Sequence, residues 1–224
     1  MSETKQNSVE LPELDILQRF DVPGPRYTSY PTADRFKKEF GPEDYKEVLK
    51  NRGTVSPEAA LSLYVHIPFC SNICYYCGCN KEITKDHSRS AQYIETLGKE
   101  CDLIKDSLTG IGTVEQLHFG GGSPTFLNNE EIVQVMETLT SRFPLEKDAE
   151  ISIEVDPRCC APEKVEILAK AGFNRMSVGQ QDFDDRVQIA VNRVQPFEMT
   201  KATMDAARAN GFESINMDLI YGLP

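Results

Sequence analysis

From Leu61 onward the apolar positions alternate between two periods. Leu61-Ser62-Leu63-Tyr64-Val65-His66-Ile67 has period two and is rich in β-branched and aromatic residues, which predicts a strand stopped by Pro68. Tyr93, Ile94, Leu97, Cys101 and Ile104 recur at helical spacing and predict a helix over residues 90–107 with one face inward. A second strand, Val114 to Phe119, is closed by Gly120-Gly121-Gly122-Ser123-Pro124, and an Asn cap starts a helix over residues 129–143. Glu150 to Val155 alternates as a third strand, followed by a helix over residues 162–171 with Gly172 as its C-terminal cap. The stretches Ala171-Gly172-Phe173-Asn174-Arg175-Met176-Ser177-Val178 and Asn210-Gly211-Phe212-Glu213-Ser214-Ile215-Asn216-Met217 echo one another as helix end, glycine, turn and strand. Strand and helix thus alternate about five times, which predicts an α/β fold of parallel strands and right-handed crossovers.

Upstream the pattern changes. Residues 13–20 can form a short amphipathic helix, and residues 42–50 a second one that Asn51-Arg52-Gly53 should end. Between them, prolines 23, 25 and 31 hold residues 22–33 extended, and Arg26, Tyr27 and Tyr30 equip that strap either to cross the outside of the domain or to line a site. These features divide the chain into an N-terminal extension, residues 1–55, and an α/β unit, residues 56–224.

Composition narrows the function classes. With 224 residues and a net charge of −11, the chain would be repelled from nucleic acid and from anionic membrane, so neither is expected as a partner. It contains no apolar run long enough to span a bilayer, and its N-terminus lacks the apolar centre of a signal peptide, so the expectation is a cytoplasmic protein. Seven cysteines in a reducing compartment point to metal or free thiols rather than to disulfides.

Four of those cysteines fall within ten residues directly after the first strand, in Cys70-x-x-x-Cys74-x-x-Cys77-x-Cys79. Cys70, Cys74 and Cys77 can reach three corners of one four-iron cluster, leaving an iron open to chelate a ligand and pass it an electron. A zinc knuckle would need a second ligand pair downstream, and none follows Cys79. A closed ferredoxin-type cluster with Cys79 as fourth ligand would only carry electrons, and its spacing fits poorly.

In a β/α barrel the loops after the strands form the active face, and each predicted strand here ends in polar chemistry. The thiol loop follows the first strand and the glycine run the second. Glu154 and Asp156 end the third, Gln180 and Gln181 the fourth, and Asp218 the fifth. The glycines let a ligand approach the backbone, or simply make a tight turn. Glu154 and Asp218 could accept hydrogen bonds from ribose hydroxyls or an ammonium, or be ordinary exposed carboxylates. Arg193 could grip a carboxylate or be solvated. His66 and His118, inside strands, read as hydrogen-bonded core histidines rather than as ligands or bases.

Taken together these motifs resemble the radical S-adenosylmethionine superfamily. Within it, Pro25-Arg26-Tyr27-Thr28-Ser29-Tyr30-Pro31-Thr32, the extended cysteine motif, His118 to Pro124, Glu154 to Arg158, Gly179 to Phe183 and Asp218 to Pro224 resemble the oxygen-independent coproporphyrinogen III oxidases. The resemblance implies a partial (β/α) barrel truncated after the fifth strand, one 4Fe–4S cluster on Cys70, Cys74 and Cys77, and S-adenosylmethionine held by Tyr64, Tyr76, Gly121, Gly122, Ser123, Glu154, Gln181, Arg193 and Asp218. Ser123 stands where threonine is common in the family, and Tyr76 where phenylalanine is. The implied reaction is oxidative decarboxylation of two propionates of coproporphyrinogen III to the vinyl groups of protoporphyrinogen IX, with an electron donor and acceptor the sequence does not identify. The alternative is a haem-binding or haem-delivering relative that does no decarboxylation. Because the family barrel needs at least one further strand, these residues are expected to be part of a longer enzyme and to turn over weakly alone.

Overall fold

The structure is a computed structural model that describes residues 12–22, 32–110 and 112–224. Residues 23–31, most of the proline strap, lie outside the described residues. The chain forms two compact units, Met1–Gly41 and Pro42–Pro224. In the first, helix α1 (Leu14–Phe20) buries none of its residues, and Ala33–Arg35 makes a 3-10 turn.

The second unit begins with α2 (Pro42–Val55), then β1 (Leu61–Ile67), the short strands β2 (Phe69–Cys70) and β3 (Glu82–Ile83), and α3 (Ser88–Ser107). It continues through β4 (Val114–Gly121), α4 (Asn129–Thr140), β5 (Leu145–Val155), α5 (Pro162–Lys170), β6 (Arg175–Gln181), α6 (Asp185–Ala190), α7 (Phe197–Ala209) and β7 (Ser214–Leu219). The five long strands pair in parallel in the order β1-β4-β5-β6-β7. Each strand therefore lies beside its predecessor in the chain, which is the winding of the partial (β/α) barrel expected from the sequence. None of the described helices is long and apolar enough to cross a membrane.

Register separates two chemistries across the sheet. Val65, Phe119, Ile153, Met176 and Ile215 align as one row and, except for the half-buried Ile215, are almost fully enclosed. The adjoining row, Tyr64, His118, Ser152 and Arg175, points to the opposite face. A slip of one residue would exchange the two rows, so burial of the apolar one sets the register. Ile94, Leu97, Val135, Leu139, Val165, Leu168 and Ala207 of α3, α4, α5 and α7 complete the core. Each large side chain enclosed there contributes about 1.5–3 kcal/mol.

The structure revises several boundaries. Helix α2 continues past Gly53 to Val55. Gly53 serves close approach instead of termination: its N–H donates to Thr109 Oγ1 at 2.9 Å, and a Cβ there would lie 2.6 Å from that oxygen. The cap of α4 is Asn128, which exchanges hydrogen bonds with Glu131 in a capping box, both at 2.8 Å. Strand β5 begins at Leu145, where the polar run Glu146-Lys147-Asp148 carries no alternation to announce it.

Candidate active site

The thiol loop leaves the end of β1 and is clamped on both sides. On one side, Glu82 N donates to Pro68 O at 2.7 Å and Thr84 N to Cys70 O at 2.9 Å, as β2 pairs with β3. On the other, Tyr75 N donates to Val191 O at 3.0 Å and Asn192 Nδ2 to Ile73 O at 2.7 Å. Within the loop, Cys77 N closes a turn on Cys74 O at 3.0 Å, and Lys81 Nζ reaches the carbonyls of Cys77 and Cys79 at 3.0 and 3.3 Å. Cys70, Cys74, Cys77 and Cys79 thereby line one cavity of about 330 Å³ at the C-terminal ends of the strands.

The glycine run forms the facing wall. Gly122 N donates to Ile67 O at 2.8 Å and Ser123 N to Phe69 O at 2.9 Å, which draws the end of β4 against the root of the thiol loop. A Cβ on Gly122 would stand 2.8 Å from Pro68 O, and Gly121 holds φ at +112°, so both positions require glycine. Glu154, half-buried, accepts from Gly121 N at 3.3 Å, with His118 Nε2 at 3.5 Å from its Oε1. It is therefore tethered, not a free strand-end carboxylate.

Arg193 is only 7% exposed. Its Nη1 donates to Asp156 Oδ2 at 3.0 Å and its Nη2 to Gly179 O at 2.7 Å, which excludes the solvated reading. Its Nε, also buried, has no partner among the described residues. Arg158 donates to the same Asp156 Oδ2 at 2.7 Å. Burial alone would raise the Asp156 carboxyl, but Arg158 and Arg193 outweigh it and hold the carboxyl below its ordinary value. At the end of β6 the pairing with β7 shifts register, and Gln181, at φ +70°, faces the cavity. Asp218 on β7 accepts from Ser177 Oγ at 2.9 Å and also lines it.

Of the residues singled out from the sequence, Cys70, Cys74, Cys77, Tyr76, Gly121, Gly122, Ser123, Glu154, Gln181, Arg193 and Asp218 line this one cavity. Tyr64 stands beside it: its ring, 58% exposed, stacks on His118 at 5.8 Å and its hydroxyl meets His66 Nδ1 at 3.1 Å. His66 and His118 are hydrogen-bonded as expected, to Asn80 O at 2.8 Å and to Ser152 Oγ at 2.7 Å, but they are not core residues: both are only half-buried, on the face opposite the enclosed row. Sequence reading gave no role to Arg158, Lys81 and Asn192. The Asp-x-Arg spacing of Asp156 and Arg158 was a signal for the first, but nothing local announces the other two.

Burial, then Cys77 and Cys74, push the Cys70 thiol up to about 11, so binding a metal there must release its proton. Among the described residues no three His, Cys, Asp or Glu side chains are drawn close enough to hold a single metal ion. The thiols stand instead around a cavity with soft sulfur donors on one wall and open backbone on the other. That donor set and space fit an iron–sulfur cluster with a small organic ligand beside it.

Comparison with known proteins agrees with this geometry. The family described as "Radical SAM superfamily" matches residues 64–224. The oxygen-independent coproporphyrinogen III oxidase of Pseudomonas aeruginosa is 48% identical over 214 residues, covering 95% of this chain and 46% of that protein. The Escherichia coli protein of the same name is 46% identical over 212 residues, covering 95% and 45%. A solved Escherichia coli coproporphyrinogen III oxidase, described as a radical SAM enzyme, superposes with a TM-score of 0.83 at 44% identity, covering 93% of this chain and 46% of that one. The chain thus spans about half the length of the curated relatives it matches. With its thiol loop, glycine wall and parallel sheet in this arrangement, the chain belongs to the radical SAM superfamily.

Proposed function

We propose that this chain carries the cluster-binding and cofactor-binding part of an oxygen-independent coproporphyrinogen III oxidase, acting in haem biosynthesis in the cytoplasm. The observation that carries the reading is the gathering of three thiols and a glycine wall around one cavity at the strand ends. Cys70, Cys74 and Cys77 would hold a 4Fe–4S cluster. Tyr76, Gly121, Gly122, Ser123, Glu154, Gln181, Arg193 and Asp218 would hold S-adenosylmethionine, with Tyr64 at its margin. When bound, and with one electron delivered to the cluster by an external donor, the two would together supply a 5′-deoxyadenosyl radical with release of methionine, a species strong enough to take hydrogen from an unactivated propionate carbon of coproporphyrinogen III.

The chain's own groups position and shield. Gly121 and Gly122 let the end of β4 pack directly against His66 and the Pro68 carbonyl, which fixes the backbone that lines the cavity. Glu154 and Asp218 present acceptors suited to an ammonium or to ribose hydroxyls. Arg193, with its unpaired Nε, keeps a donor for a carboxylate. Incubating the anaerobically reconstituted protein with coproporphyrinogen III, S-adenosylmethionine and a reductant tests the reading. Methionine, 5′-deoxyadenosine and vinyl product together would support it. Tight haem binding without vinyl product would replace it with a haem carrier.

A further inference from the structure

Cys74 differs from the other two candidate iron ligands in its surroundings. It is 8% exposed, and two guanidinium groups point at its sulfur: Arg158 Nη2 at 3.5 Å and Arg193 Nη1 at 3.6 Å. The same two arginines share Asp156 Oδ2, at 2.7 and 3.0 Å. All three side chains are largely enclosed, at 19%, 8% and 12% exposed for Arg158, Arg193 and Asp156. Two cations and one anion leave this triad with one net positive charge, held against a single sulfur where water cannot screen it fully.

We propose that the Arg158–Asp156–Arg193 triad sets the reduction potential of the bound cluster through Cys74, with Arg158 as a positioning and tuning residue. The inference rests on the assignment of Cys74 as an iron ligand. Reducing the cluster by one electron adds negative charge to its sulfurs, and both N–H donation to a ligating sulfur and nearby positive charge favour that state. Both arginines line the cavity, but Arg193 keeps an unpartnered Nε for the proposed cofactor, whereas the hydrogen bonds of Arg158 go to Asp156 and Cys74. Arg158 can therefore be altered with less effect on the cofactor contacts.

Redox titration of the anaerobically reconstituted protein, followed by electron paramagnetic resonance without S-adenosylmethionine, tests this. Arg158→Gln removes a cation and should lower the potential. Asp156→Asn removes the anion and should raise it. A tenfold change in the reduced-to-oxidised ratio at fixed solution potential corresponds to about 59 mV for one electron and is the size expected for either variant. Opposite signs would support the inference, since general loosening of the site would not move the two variants apart. If one variant fails to hold iron, a shift of the other against its expected sign, or no shift, overturns the inference. Unchanged potentials, or shifts in the same direction, would overturn the tuning role while leaving the cluster assignment intact. A wild-type protein with no 4Fe–4S signal would overturn both.

Discussion

The side-chain amide of Asn192 donates to the carbonyl oxygen of Ile73 at 2.7 Å, from a residue whose own backbone sits at φ +57°. With Tyr75 N on Val191 O, this ties the thiol loop to the turn after α6. Asn is among the few side chains that tolerate this left-handed backbone. Asn192→Gly should keep the turn and lose the strut, costing about 1 kcal/mol of stability. Asn192→Val should cost about 2–3 kcal/mol, because a branched side chain adds backbone strain. Urea unfolding of both variants checks the order.

Gln181 combines a left-handed backbone with a place on the cavity wall. Replacing it with glycine relieves about 1 kcal/mol of strain and forfeits a similar amount in chain entropy, so stability should hardly change. S-adenosylmethionine affinity should fall about threefold to tenfold, the worth of one hydrogen bond. Calorimetry on the reconstituted protein separates the two effects. An unchanged affinity would remove Gln181 from the cofactor site.

Iron content distinguishes the four thiols of the loop. Cys70→Ala, Cys74→Ala and Cys77→Ala should each abolish the cluster, since a cubane held at two corners is labile. Cys79→Ala should retain it. Loss of iron in that last variant would make Cys79 a ligand and close the open corner that the proposed chemistry needs.

Asp156 gives the apoprotein a distinct acid limb. Its carboxyl titrates below the ordinary value of 3.8 in the folded state, so its stabilising effect is complete above that pH and is lost as pH falls through the lowered value. Asp156→Asn should cost about 3 kcal/mol near neutrality, because two buried cations lose their counter-ion. Its stability should then vary less than wild type's between about pH 5 and about pH 3. Urea midpoints across that range test the sign.

Gly53 sets two known magnitudes against each other. Alanine in a helix interior is usually worth about 1 kcal/mol over glycine. Here its Cβ would meet Thr109 Oγ1 at 2.6 Å and the Gly110 nitrogen at 2.9 Å, an overlap costing about 1–3 kcal/mol with limited room to relax. Gly53→Ala should therefore lower the melting temperature. A rise would mean the loop at Thr109 yields.

By itself the sequence determined the strand and helix rhythm, the thiol spacing and the glycine wall. Each of these is a local pattern: alternation records which face of a strand is enclosed, and glycine records a backbone turn or a close approach that other side chains seldom allow. The short pairing of β2 with β3 lay beyond it, since two residues are too few to show a period. So did the grip of Asn192 on Ile73, 119 residues apart, and of Arg193 on Asp156, 37 apart. Those contacts exist because the sheet order brings the ends of β1, β5 and β6 together, and only the register of neighbouring strands decides which side chains then meet.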